Sequence, residues 1–151
     1  MSMEVVNAIK ALETRLTSIT GVNYLGEIEI GQTFSMDNCP GVALKFDGVG
    51  KFEWHDMPTD AFCELEFTVK LIEDPAYAEY NSDNSRGSMV LFQKVIAAIM
   101  GGATGDTVSA GAWYLPPRIT PKDYMRGVPG AIIVQDLKVV ITTAMFDTKT
   151  L

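Results

Sequence analysis

His55 stands beside Asp56 in the stretch FEWHDMP, and a histidine next to an acid is a pairing from which general bases and metal sites are built. Adjacency alone does not make such a site. Neighbouring residues on an extended segment point to opposite sides, and zinc takes three or four ligands at suitable spacing, with neither cysteine nearby in sequence. His55, the single histidine of the chain, therefore reads as a turn residue. Cys63 falls on the apolar side of an alternating segment, where a thiol behaves as a small hydrophobe, and Cys39 precedes a proline in a turn. Nothing in their spacing supports a Cys–His nucleophile pair. Glu64 and Glu66 share the polar side of that alternating segment, about 7 Å apart in a regular strand, a separation that overlaps the paired acids of glycoside hydrolases. Without an aromatic wall or polar cluster around them they read as a solvated face or a subunit interface. The glycine-rich GGATGDT, Gly101 to Thr107, follows a helical stretch instead of preceding one and lacks the lysine of a phosphate loop. It reads as a helix stop, and no catalytic residue, metal ligand or cofactor site is expected.

The elements that hold these residues come from periodicity. In EVVNAIKALETRLTSI, from Glu4 to Ile19, Val5, Ile9, Leu12, Leu16 and Ile19 recur at spacings of three and four, which predicts an amphipathic helix with Gly21 as its C-cap. VNYLGEIEIGQTF holds a short strand, CPGVALKFDG a strand from Val42 to Phe46, and VGKFEWHDMP a further short strand or turn-rich connection. In FCELEFTVKLIED, Cys63, Leu65, Phe67, Val69 and Leu71 alternate with Glu64, Glu66, Thr68 and Lys70, the pattern of an antiparallel sheet wet on one side. The loop DPAYAEYNSDNSRG, Asp74 to Gly87, is long for a compact domain and is expected to be mobile or used for binding. A helix then runs through SMVLFQKVIAAIM, capped by Ser88 and stopped by Gly101 and Gly102. TVSAGAWYLPPRI, the turn-forming TPKDYMRGVPG and the strand AIIVQDLKVVITTAMFD close the chain.

Strands joined by short turns instead of helical crossovers predict one α+β domain over residues 1–151, with a mixed, mainly antiparallel β-sheet and two helices packed on one face. Ten of the twelve residues from Met89 to Met100 are apolar. A bilayer crossing needs about 20, and Gln93 and Lys94 interrupt this run, so it belongs in a core, with outer cover from the first helix or another subunit. At 151 residues, 47% hydrophobic and 21% charged, the chain is expected to fold as one ordinary domain. A formal charge of −7 without any Lys/Arg run argues against a direct grip on nucleic-acid phosphates. Two cysteines make no disulfide scaffold, and no leader-like segment precedes the first helix, which suggests a cytosolic, reduced protein.

Surplus apolar surface remains in Trp54, Tyr77, Tyr80, Trp113, Tyr114, Leu115, Tyr124 and Met125, of types enriched where proteins meet. Trp113 reads more readily as a lid over the domain's own core. As a set they lean toward an assembly protein, against a small enzyme or ligand-binding domain with a pocket near His55.

The N-terminal helix EVVNAIKALETRLTSI, the proline-led strand CPGVALKFDG, the alternating strand CELEFTVKLIED, the long loop, the helix SMVLFQKVIAAIM and the terminal strands resemble, over residues 4–147, the tail terminator or tail completion proteins of tailed bacteriophages and prophages. The resemblance is one of architecture and carries no catalytic motif. It implies a structural virion protein of the tail and neck, assembled in the bacterial cytoplasm, that forms a ring, commonly a hexamer, capping the tail tube and joining tail to head. Its implied partners are copies of itself, the tail tube and head–tail connector proteins, with no membrane and no sequence-specific DNA contact, although DNA passes through the ring. Tyr77, Tyr80, Asp83, Arg86, Tyr124, Met125 and Arg126 are the candidate partner contacts. The loop is expected to order on contact, and its deletion to spare the fold. Another neck, tube or baseplate adaptor fits the same pattern.

Overall fold

The computed structural model describes residues 4–27, 33–54, 61–77, 79–101, 116–125 and 132–144. Helix α1 (Glu4–Thr17) is followed by strands β1 (Asn23–Glu27), β2 (Gly41–Trp54) and β3 (Ala61–Glu73), helix α2 (Ser88–Ile99), and strands β4 (Arg118–Met125) and β5 (Ile133–Ala144). The strands form one sheet in the order β1-β2-β3-β5-β4. Among the described residues only β1 and β2 run parallel; the other pairs are antiparallel. This is the α+β architecture expected from the sequence, with both helices on one face of the sheet.

Alternation on β3 decides which face is packed. Cys63, Leu65, Phe67, Val69 and Leu71 lie opposite Thr143, Ile141, Val139, Leu137 and Gln135 of β5, all buried. Against this layer α1 sets Ala8, Leu12 and Leu16, and α2 sets Leu91, Val95 and Ile99. The two helices are also joined by a polar contact: Arg15 donates from a guanidinium nitrogen to the Ile99 carbonyl at 2.6 Å, answering one of the carbonyls a helix leaves open at its last turn. Gly101, at φ +93°, ends α2 as the glycine stop predicts. Buried and half-buried residues cover most of α2, but Met89, Gln93 and Ala97 form an exposed stripe, so the helix does have a wet side.

Three local expectations are corrected. The glycines after Phe46 do not break the strand; β2 continues from Gly41 to Trp54 through register shifts between Phe46 and Gly48 and between Val49 and Lys51. Such bulges absorb an extra residue each, and Gly48, at φ +117°, supplies a backbone conformation that other residues adopt poorly. TPKDYM, expected to turn, instead forms most of β4, where Pro121 sits on an edge strand and beside a register shift, the two places a strand tolerates a residue without N–H. Ser88 is the first helical residue and is buried, while Gly87 takes the N-cap position.

The other face of the sheet is laced with ion pairs. Lys70 meets Asp136 at 2.9 Å, Lys138 meets Glu66 at 3.1 Å and Arg118 meets Glu64 at 2.7 Å. Thr68 donates its hydroxyl to Asp47 at 2.6 Å. This face is charged along much of its length, as the alternation on β3 predicts, but Ile72, Ala43 and Val140 on the same face are buried.

Candidate functional site

Glu73, the last residue of β3, has 1% of its surface exposed. Its carboxylate is nevertheless well served: one oxygen accepts from Arg86 at 2.8 Å and from the Asp74 amide at 2.8 Å, and the other from the Gly87 amide at 3.1 Å. A buried charge is tolerable only with such partners. The Glu73 hydrogen bond raises the Arg86 pKa further above its ordinary value, with desolvation acting against it. The Arg86 guanidinium also lies over the Tyr77 ring, 4.1 Å from its centre, within cation–π range. Both ends of the loop from Asp74 to Gly87 are thus tied to one carboxylate.

Within the loop, the Asn81 side-chain oxygen accepts the amides of Ser85 and Arg86 at 2.9 and 3.2 Å, and the Asn81 amide donates to the Arg86 carbonyl at 3.0 Å. Asp83 accepts both the amide and the hydroxyl of Ser85, at 3.1 and 2.7 Å, and the hydroxyl contact heads the causes that hold its carboxyl below the usual range. The Met89 amide donates to the Glu79 carbonyl at 2.9 Å, joining the loop to the first turn of α2. Gly87, at φ +128°, lies so close to the backbone of Glu79 and Tyr80 that a Cβ would collide with it. The loop expected to wait for a partner before ordering is already braced by its own polar groups. Its deletion would leave Glu73 buried without its cation, so the expectation that the fold is spared does not follow from this geometry.

Of the predicted contacts, Arg86 is engaged with both Tyr77 and Glu73, whereas Tyr80, 68% exposed, and Asp83 face outward. Tyr124 and Met125 lie on β4 opposite Gln135 and Val134, next to the Ile133 position that faces Glu73. β4 and β3 flank β5, so these positions fall at the same end of the sheet as the loop, about 10 Å across two strand spacings. Arg126 lies outside the described residues, as do His55, Asp56, Trp113, Tyr114 and Leu115.

On the β4 flank an apolar cleft of about 310 Å³ opens between α2 and the sheet edge, lined by Phe92, Ile96, Met100, Pro117, Ile119 and Pro121. Sequence reasoning missed it, although the half-covered side of α2 was its signal. The chemistry of the remaining candidates is muted. Glu64 and Glu66 each hold a separate cation, Arg118 and Lys138, so they are not a shared acid pair. Burial, followed by the charges of Glu73 and Asp74, pushes the Cys39 thiol up to about 11, and burial also raises Cys63. Neither is poised as a thiolate nucleophile at neutral pH. Among the described residues no group of three or more His, Cys, Asp or Glu side chains is placed to hold a metal, and no helix is long and apolar enough to cross a membrane.

No protein-family model matches the chain, and no curated protein matches it in sequence.

Proposed function

We propose that the chain is a structural virion assembly protein of the tail terminator kind, a ring-forming subunit that caps the tail tube and joins tail to head. The observation that carries this reading is the end of the sheet that the braced loop, with Tyr80 and Asp83 turned outward, shares with the Tyr124 and Met125 positions of β4. A preorganised surface of this kind loses little freedom on docking, so its contact energy is not spent on ordering. The apolar cleft between α2 and β4 supplies a second, different surface for a neighbouring copy. Head-to-tail contacts between unlike patches are what close a ring.

In this reading the cleft takes the neighbouring subunit, and the loop end takes the tail tube or connector. Pro121→Asp, at an exposed position on the cleft rim, is expected to dissolve the ring while leaving the circular dichroism spectrum unchanged. Tyr80→Ala is expected to keep the ring and weaken its capture by tail tubes at least tenfold. Rings that survive Pro121→Asp, or tail binding indifferent to Tyr80, would contradict these assignments.

A further inference from the structure

The loop from Asp74 to Gly87 is held to the domain differently from the elements it joins. From Asp74 to Arg86 none of its described residues is buried, whereas Glu73 before it and Gly87 at its end are. Ser85 and Arg86 border a crevice of about 160 Å³ against Val22, Pro40, Val90 and Leu91. The loop therefore rests on this surface without interlocking with it as core side chains do.

The contacts that hold it down are polar and converge on one carboxylate. Glu73 accepts the Asp74 amide at one end of the loop, the Gly87 amide at the other, and the Arg86 guanidinium beside it, at 2.8, 3.1 and 2.8 Å. The Glu79 carbonyl accepts the Met89 amide at 2.9 Å. A second set of contacts lies wholly inside the loop: Asn81 accepts the Ser85 and Arg86 amides, Asp83 accepts the Ser85 hydroxyl, and Arg86 lies over Tyr77. A segment tied together within itself, with little buried surface, opens as one unit at a free energy below that of the core. Gly87, at φ +128°, gives it a pivot with the backbone freedom that a hinge needs.

We infer that the loop is a latched strap. Glu73 is the latch, and when Arg86 lets go of it both ends of the loop are released in one step. Polar contacts near a wet surface are exchanged for water at small net cost, so the strap opens far more often than the sheet unfolds. Closed, it holds Tyr80 and Asp83 in one geometry. The inference rests on these contacts alone and stands whatever the loop docks onto.

Amide hydrogen exchange followed by NMR tests it on the unmodified chain. The amides of Asp74, Gly87 and Met89 should share one opening constant, at least a hundredfold larger than that of the β3–β5 ladder. Exchange of these amides only with the ladder, or constants that differ more than tenfold between Asp74 and Met89, would overturn the strap. Glu73→Gln and Arg86→Met should each raise the shared constant at least tenfold relative to the ladder, and the double variant no further than the larger single effect, because both remove the same contact. Effects that multiply in the double variant would show that Glu73 and Arg86 act separately and would overturn the latch. If either variant fails to fold, the comparison of Asp74, Gly87 and Met89 in the unmodified chain still decides.

Discussion

A carboxylate with 1% of its surface exposed must have its charge answered nearby, and at Glu73 the answer comes from the Arg86 guanidinium and two loop amides. Glu73→Ala removes the acceptor and leaves a part-buried cation and two donors without it. It should cost about 3 kcal/mol of stability, read as a fall in the urea midpoint. Tyr80→Ala removes an exposed ring and should cost no more than about 0.5 kcal/mol, which separates the loop's bracing residues from its outward ones. The sequence supplied Tyr77, Tyr80, Asp83 and Arg86 as one group, but which of them faces inward depends on Glu73, which alternation would assign to the packed side without naming its partner. Cys39 offers a test in pH. Its thiol, pushed up to about 11 from an ordinary 9.0, holds about a hundredfold less thiolate than an unburied cysteine at pH 8. Alkylation of Cys39 by iodoacetamide, followed by peptide mass spectrometry, should be slower by that factor and rise about tenfold per pH unit up to pH 11. A rate equal to that of a free cysteine would show the thiol to be open.

At the scale of elements, periodicity made α1, β3, α2 and β5 legible because each buries one side against the same core. Glycine and proline misled where tertiary pairing overrides local preference. Gly48 and Gly50 read as punctuation because glycine usually ends a strand, yet β3 pairs across both bulges. Pro121 read as a turn, yet an edge strand has one side on which a missing N–H goes unnoticed. The parallel pairing of β1 with β2 joins segments through a long connection and has no local signature. Two glycines differ in what they bear. Gly21→Ala meets open space at φ +76° and should cost about 1 kcal/mol, whereas Gly87→Ala adds a collision with the Glu79 backbone and should cost at least about 2 kcal/mol. Thermal unfolding of the two variants checks the ranking; equal melting temperatures would mean that the loop yields at Gly87.

At the scale of the molecule, helices cover one face of the sheet and ion pairs line much of the other, and among the described residues large apolar side chains stay exposed at the sheet edges and on the helices, at Val6 and Met89. The cleft borders β4 on one flank, and Phe46, Val49 and Phe52 border β2 on the other. Acids and bases answer one another on the charged face, so among the described residues that face carries no one-sided charge. The α+β architecture was legible from strand alternation and helix spacing, whereas the edge surfaces depend on strand order, which single-sequence patterns do not encode. The most direct measurement is the mass of the purified protein by light scattering across a concentration series. The account predicts self-association of the 16.5 kDa chain, toward about 100 kDa for a six-membered ring, whereas a 16.5 kDa species at every concentration would contradict it.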